Sequence, residues 1–415
     1  MERKPNITPV LSNISVSMGE IKFSFGRPVP PAQFYDRDRE INQILLRLLT
    51  IKSGVKNDIA IVGPRRIGKS SIIFYLEHKL SKKGIFTINL DCEGLDLTSF
   101  LKTYGNAIIE SELKDMGLMQ RFGERIKRGF TETISTMAEA LGKIRAVELG
   151  TSSEDFLKFR IEFDKSTSNR SLTDSELDEL FERTISLPNN LNKKYIVMFD
   201  EFQETVNFNL PRGGFHANFR KSIQDQANVA YVYTGSAIGM MDTIFSDPKN
   251  PLAGSAEIVQ VRPFDDKTSC SFLENRFNNA GREISTKVEN YIYNKVGGFP
   301  AYLNWIGLRI CDLVPENKKI TQGIAEKVCE EIHTPISPIY QMIEKQLVKL
   351  GLKTKKVLFC ISLGYKTPTE IGKEVNVKNI YVYLNRLQSY GLIFKNNDDN
   401  YELIDPIIIE HLKRI

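Results

Sequence analysis

One octapeptide in this chain has the residue types and spacing to hold a run of phosphates. Residues 63–70 read Gly63-Pro64-Arg65-Arg66-Ile67-Gly68-Lys69-Ser70, which satisfies G-x-x-x-x-G-K-[ST] at every fixed position. The glycines let the backbone wrap with its N–H groups pointing inward. The helix that follows would present its positive N-terminus to the same anion. Lys69 would reach the β- and γ-phosphates, and Ser70 would ligate a magnesium ion; a glycine turn with no ligand is the bland alternative. A second motif, Tyr195-Ile196-Val197-Met198-Phe199-Asp200-Glu201, is an apolar run that ends in two carboxylates. Asp200 would hold the magnesium, directly or through water. Glu201 would orient and deprotonate the water that attacks the γ-phosphate, unless it is only a strand-end surface carboxylate. Thr234-Gly235-Ser236 offers a hydroxyl for the γ-phosphate or the attacking water. Ser236 is favoured, because Thr234 belongs to the strand and is expected to point inward; an ordinary turn is the competing reading. Candidate charge-stabilising arginines are Arg65, Arg66, Arg212, Arg220 and Arg262, and the sequence does not choose among them.

Residues that must meet in space need elements to carry them, and the pattern supplies these. Residues 58–62, 85–91, 194–199, 229–234 and 258–261 read as short apolar strands, and helical spacing recurs between them. Continuous apolar strands alternating with helices predict a doubly wound parallel α/β sheet over residues 33–264. The first 32 residues end in Gly26-Arg27-Pro28-Val29-Pro30-Pro31, which cannot be helix, and read as an N-terminal arm. Residues 99–192 read as mostly helical and charged, with a loop at 165–169, so a helical insert is expected at about 100–190. From 265 to 335 the pattern is all-helical, broken at Gly297-Gly298-Phe299-Pro300.

At 415 residues the chain is long enough for two or three cores. With 41% hydrophobic and 26% charged residues it has an ordinary globular composition. No apolar run is long enough to cross a bilayer, and the first residues do not read as a secretory signal, so the expectation is a cytoplasmic protein with no membrane partner. Five scattered cysteines without C-x-x-C spacing, and only four histidines, argue against zinc and against a disulfide framework. The net charge of +5 permits contact with nucleic acid without requiring it.

The loop residues 63–71, the Phe-Asp-Glu-Phe-Gln that follows the third strand, the Tyr-Thr-Gly-Ser after the fourth and the Gly-Gly-Phe-Pro of the helical part occur in this order. Together they make the chain resemble the archaeal ATPase family, of the STAND class of P-loop NTPases, which is related to AAA+ origin-recognition ATPases. The resemblance covers roughly residues 33–330. It implies ATP and Mg2+ as ligands, with Ser71 completing the phosphate loop. It also implies that the box at 34–40, with Phe34, Tyr35 and Arg37, closes over adenine and ribose, and that Pro300 packs near the nucleotide. A lid arginine, which AAA+ relatives place near this glycine–proline motif, is missing from residues 297–302.

Residues 336–415 read as three helices and a hairpin, a winged helix-turn-helix. Thr367-Pro368-Thr369-Glu370 has the form of a capping box. On the third helix Ile380, Tyr383, Leu384 and Leu387 would be buried, leaving Lys378, Asn379, Tyr381, Asn385 and Arg386 outward, with the chemistry of a major-groove reader. Lys373 and Lys395 could add phosphate contacts. Twelve Lys and Arg stand against eight Asp and Glu over this stretch. The expectation is an ATP-hydrolysing switch coupled to double-stranded DNA through the winged helix, with assembly dependent on nucleotide. A signalling or defence switch that binds protein partners, and a nucleotide-binding module with slow turnover, are the alternatives.

Overall fold

The computed structural model describes residues 23–115, 144–150, 158–163, 173–191, 193–396 and 398–414. Its main sheet is five-stranded and wholly parallel. It contains β1 (Ile59–Val62), β2 (Phe86–Asp91), β5 (Tyr195–Asp200), β6 (Val229–Gly235) and β7 (Glu257–Gln260), in the order β2-β5-β6-β1-β7. Such strands must be apolar on both faces, because each face is covered. Ile59, Ile61, Ile196, Met198, Ala230 and Val232 enter one core cluster. Their neighbours Ala60, Val62, Val197, Phe199, Tyr231 and Tyr233 enter the other. Helices α1 (Asp38–Leu49) and α2 (Lys69–Ser81) close the first face. The second is closed by α3 (Leu97–Asp115), α4 (Asp174–Asn190), α5 (Gly214–Ile223) and α6 (Ile238–Phe245). The doubly wound parallel sheet read from the sequence is present.

The helical expectation for residues 99–192 needs correction. Strands β3 (Ile144–Gly150) and β4 (Lys158–Phe163) form an antiparallel hairpin inside it, pairing Leu149 with Phe159 and Val147 with Ile161. The segment Lys158-Phe159-Arg160-Ile161-Glu162-Phe163 alternates with period two, the signature of a strand, and the surrounding charge-rich composition obscured it. The charged run at 116–143 and the loop expected at 165–169 lie outside the described residues.

Beyond the sheet, α7 (Asp266–Asn279), α8 (Thr286–Val296), α9 (Pro300–Leu313) and α10 (Gln322–Glu331) follow as the all-helical stretch expected. Asp265 caps α7 by accepting the Thr268 N–H at 2.7 Å. Gly297 and Gly298 both have left-handed backbones, with φ 63° and 73°, and Pro300 then opens α9 at a position where its missing N–H costs nothing. A side chain on Gly298 would collide with the Phe264 carbonyl, so the break also brings α9 close to the strand-to-helix connection.

Next come α11 (Pro338–Val348), α12 (Leu352–Ser362), α13 (Pro368–Val375) and α14 (Tyr381–Ser389). The antiparallel ribbon of β8 (Ile393–Lys395) and β9 (Tyr401–Leu403) follows, and then α15 (Pro406–Arg414). Both halves of the capping box on α13 are made, Glu370 N–H to Thr367 Oγ1 at 3.3 Å and Thr367 N–H to Glu370 Oε2 at 3.2 Å. The first core cluster runs unbroken from the sheet through Phe272 and Leu303 to Ile343, Leu387 and Ile408. No helix among the described residues is long and apolar enough to cross a membrane.

The described part of the N-terminal arm, residues 23–32, lies along this cluster. The Phe23 ring packs 4.7 Å from that of Phe277 and 6.0 Å from that of Phe272, over the bare face of Gly307. Ser24 N–H donates to Asn304 Oδ1 at 3.0 Å, and Val29 N–H to Ser71 Oγ at 3.2 Å. The arm thus ties α9 to the start of α2.

Candidate functional site

Register brings the motifs together. Val62, the last residue of β1, pairs with Gly235 of β6, and Phe199 of β5 pairs with Tyr233 of β6. The loop after β1, the acidic tip of β5 and the turn after β6 therefore emerge side by side, at the carboxyl edge where open parallel sheets bind ligands. A cavity of about 970 Å³ opens there, lined by residues 65–72 together with Glu93, Glu201 and Glu204. Phe34, Tyr35, Arg37 and Pro300 border it too, as do the arm residues 24–29. Of the positions singled out in the sequence, Phe34, Tyr35, Arg37, residues 65–71, Glu201 and Pro300 line this cavity, whereas Asp200 and Ser236 do not and are joined to it by their hydrogen bonds with Ser70 and Glu201. Gly63 and Pro64 contribute differently, through their carbonyls.

Lys69 is buried, and burial pushes its ammonium below the ordinary lysine value, against the pull of Glu201 and Asp200. Its Nζ donates to the carbonyls of Gly63 (2.9 Å) and Pro64 (3.1 Å), and no carboxylate among the described residues is bonded to it. A buried cation held only by neutral carbonyls favours an arriving anion. Gly68 is left-handed (φ 97°), and a Cβ there would meet nothing within 4 Å, so the loop is bare on its open side. Ser70 Oγ donates to Asp200 Oδ2 at 2.7 Å, and Thr234 Oγ1 donates to Asp200 Oδ1. A hydroxyl beside an oriented carboxylate is a hard-oxygen donor pair. It fits Mg2+, which takes one or two protein oxygens and completes its shell with phosphate and water.

Glu201 has a left-handed backbone (φ 49°, ψ 44°) immediately after the strand, which turns its carboxylate toward the turn after β6. Its Oε2 accepts from Ser236 Oγ (2.6 Å), from Ser236 N–H (3.3 Å) and from Gln203 Nε2. No bond to Oε1 occurs among the described residues. Burial pushes this carboxyl up. Lys69, the Ser236 and Gln203 hydrogen bonds and Arg65 more than offset that and hold it below the usual glutamate value. A carboxylate kept ionised with one free oxygen can accept a proton from water.

Thr234 and Ser236 both belong to this cluster. Thr234 is buried within the strand, and its hydroxyl also reaches Asp200 across the β5–β6 pair, a contact the sequence did not indicate. Among the candidate arginines, Arg65 lines the cavity, donates to Ser236 Oγ at 3.3 Å and lies 3.8 Å from Glu93. Arg66 also lines it, but its guanidinium is held by Asp405 at 3.0 Å and Tyr302 at 3.2 Å. Arg212 lies 3.8 Å from Asp178, and Arg262 donates to Gln260; neither lines the cavity. Arg220 lines a separate polar cavity with Lys56 and Asp58, at the opposite end of the strands.

Sequence reasoning gave no role to Gln203, although it closes the Phe-Asp-Glu-Phe-Gln string, nor to Tyr302 and Asp405, which lie far from the phosphate loop in the chain. Arg276 was also missed. It is buried over Tyr35 and Phe272, donates to the Gln33 carbonyl and borders the aromatic end of the cavity. Phe34 there stacks on Tyr75, with ring centroids 4.4 Å apart. On α14 and just before it, Lys378, Asn379, Tyr381, Asn385 and Arg386 are all exposed, while Ile380, Leu384 and Leu387 are buried.

This strand order, with a phosphate loop after β1 and paired carboxylates at the tip of β5, defines a P-loop ATPase fold of the AAA+ type. The chain belongs to the family of ATPase domains found predominantly in Archaea, whose profile matches residues 34–306. Two uncharacterized ATP-binding proteins of Methanocaldococcus jannaschii are similar to it. One is 23% identical over 374 residues and the other 24% over 387, in each case across 85% of this chain and 92% of the relative. Among solved structures, a Walker-type ATPase of Pyrococcus abyssi superposes with a TM-score of 0.60 at 21% identity, over 93% of this chain and 98% of that one. The Aeropyrum pernix ORC2 protein does so at 0.52 and 12%, over 94% and 96%.

Proposed function

We propose that this ATPase is a magnesium-dependent switch, in which ATP bound between the sheet and the helical segment 265–335 controls a C-terminal winged helix (336–415). The carrying observation is the convergence on one cavity of Lys69, the half-free Glu201 carboxylate and Ser70, the last hydrogen-bonded to Asp200 behind it. In this reading the loop N–H groups and Lys69 grip the phosphates, and Ser70 and Asp200 hold the metal. Bound Mg2+ would neutralise phosphate charge. Glu201 Oε1 takes a proton from the attacking water as the bond from water oxygen to the γ-phosphorus forms and the bond to the bridging oxygen breaks. Ser236 and Gln203 fix the other carboxylate oxygen, so that Oε1 faces the water. The Methanocaldococcus relatives are named as ATP-binding proteins, which supports adenine as the base.

Phosphate release by the full chain with Mg-ATP tests the reading. Glu201→Gln should retain nucleotide binding and lose at least about a hundredfold in turnover. Lys69→Ala should lose binding itself. Release by the wild type no faster than by both variants would rule out hydrolysis at this site.

For the C-terminal segment we favour duplex DNA. Lys378, Asn379, Asn385 and Arg386 are exposed together and supply the donors and acceptors that a major-groove helix uses. Tyr381 and Val382, 54% and 58% exposed, favour instead a protein partner on the same helix. Gel shift with and without nucleotide separates these readings: no duplex shift in either state rejects the DNA half and leaves the signalling-type switch.

A further inference from the structure

The phosphate cavity has a wall that the loop and the acidic tip of β5 do not form. Helix α11 and its last turn contribute Met342, Lys345, Gln346 and Lys349 to the lining. Lys345 and Lys349 are four residues apart and both exposed, so two like charges sit one above the other on a single helical face. Such a pair is unfavourable for a helix on its own, and an anion in the cavity would reverse the sign of that term.

The other cations around the cavity are already engaged. Lys69 is held by two loop carbonyls, Arg65 by Ser236 and Glu93, and Arg66 by Asp405 and Tyr302. Arg37 bonds Glu40 and the Arg262 carbonyl, and Arg276 bonds the Gln33 carbonyl. Glu93, Glu201 and Glu204 add negative charge to the same lining. A triphosphate remains an anion after magnesium binds, and it would enter among these carboxylates. Among the described cavity-lining cations, Lys345, Lys349 and Arg27 of the arm have no side-chain hydrogen bond or ion pair.

Lys349 also belongs to the phosphate end rather than the aromatic end. Glu204 lies in the turn that follows Glu201. Its carboxyl is pushed up by burial, by Glu93 and by Glu201, and pulled back by Arg65 and Lys349. Lys349 and Arg65 therefore act on one carboxylate beside the loop.

We propose that Lys345 and Lys349 are the residues through which the C-terminal segment reads the terminal phosphate of the bound nucleotide. This rests on the proposed nucleotide site and deepens it. The lysines form contacts with a triphosphate that a diphosphate is too short to complete, so α11 is drawn onto the loop in one state and released in the other. Occupancy of the loop thereby becomes the position of residues 336–415.

Calorimetry on the full chain, with Mg2+ and either a non-hydrolysable ATP analogue or ADP, tests this. The double variant Lys345→Ala/Lys349→Ala should weaken the triphosphate analogue about tenfold and change ADP by no more than about twofold. Lys345→Arg/Lys349→Arg should restore the discrimination, and Arg27→Ala should leave it intact. Thermal unfolding without nucleotide should match the wild type, because both lysines are exposed. An unchanged ratio in the alanine pair, or a ratio that falls only with Arg27→Ala, overturns the proposal. If the wild type binds neither ligand and behaves as Lys69→Ala does, the nucleotide reading fails first, and the two failures are thereby distinguished.

Discussion

At the scale of single residues, the chemistry depends on how Glu201 is held. Burial alone would raise its carboxyl toward neutrality, but Lys69, Ser236, Gln203 and Arg65 bring it below the ordinary value of 4.5. A group with a depressed value is ionised at any pH above it. Turnover should therefore be independent of this group from neutrality down into the acid range, with any loss setting in at a lower pH than for an ordinary glutamate. Ser236→Ala combined with Gln203→Ala removes two of the bonds that favour the charged form, so the acid limb should move toward neutral pH. A pH–rate profile of phosphate release checks this, and a limb that stays in place would show that Lys69 and Arg65 alone set it. Asp200 is shared in the same way between Ser70 and Thr234, and an aligned carboxylate of this kind holds a metal better than a freely rotating one.

At the scale of elements, register is what turned three separate motifs into one site. The phosphate loop, the Asp200–Glu201 tip and the turn after β6 were all legible in the sequence, because each is a contiguous string with a fixed chemical logic. Asp405 and Tyr302 were not. Their contact with Arg66 spans 339 and 236 residues of chain, respectively, and depends on how α9 and α15 pack rather than on any local pattern. The β3–β4 hairpin was missed for a different reason: its period-two alternation lasts only six residues inside a long charged stretch. One local network makes a further prediction. His216 lies between Thr205 Oγ1 at 3.0 Å and Asn250 Nδ2 at 3.1 Å. The Asn250 amide donates, so Nδ1 accepts and the neutral ring carries its proton on Nε2. Burial pushes its value down to about 4 from the ordinary 6.5. Between these values the unfolded chain holds a proton that the folded one refuses, so stability rises with pH there. Acidification from 6.5 to 4 should cost on the order of 3 kcal/mol. His216→Gln should flatten that slope in denaturant titrations run at successive pH values.

At the scale of the whole molecule, the phosphate loop is wired to the far end of the chain. Arg66, 8% exposed, ion-pairs with Asp405 at 9%, and Asp405 also accepts the Ile407 N–H at 3.0 Å at the start of α15. Removing one partner of such a pair leaves a buried charge unmatched and costs more than removing both. Asp405→Ala should destabilise the fold by about 3 kcal/mol, whereas Arg66→Met/Asp405→Leu should lose less than the single change. Chemical denaturation of the three proteins decides it, and a double variant worse than the single would show that the pair is a net source of stability. A second contact runs parallel to this one. Gly391, left-handed at φ 65°, lets the turn before β8 lie directly on the Ser236 carbonyl, where any Cβ would collide. The residue that positions Glu201 is therefore also the floor on which the C-terminal segment rests.

The seat of Phe23 has a consequence for synthesis. The ring belongs to the earliest described part of the chain, but its socket is made by Phe272, Phe277 and the notch at Gly307. During translation the plug emerges long before the hole, and it must stay unsheltered until the ribosome has passed α9. Its docking is a late event in maturation, and a nascent chain halted before α9 would carry that aromatic as an unfilled, chaperone-accessible handle.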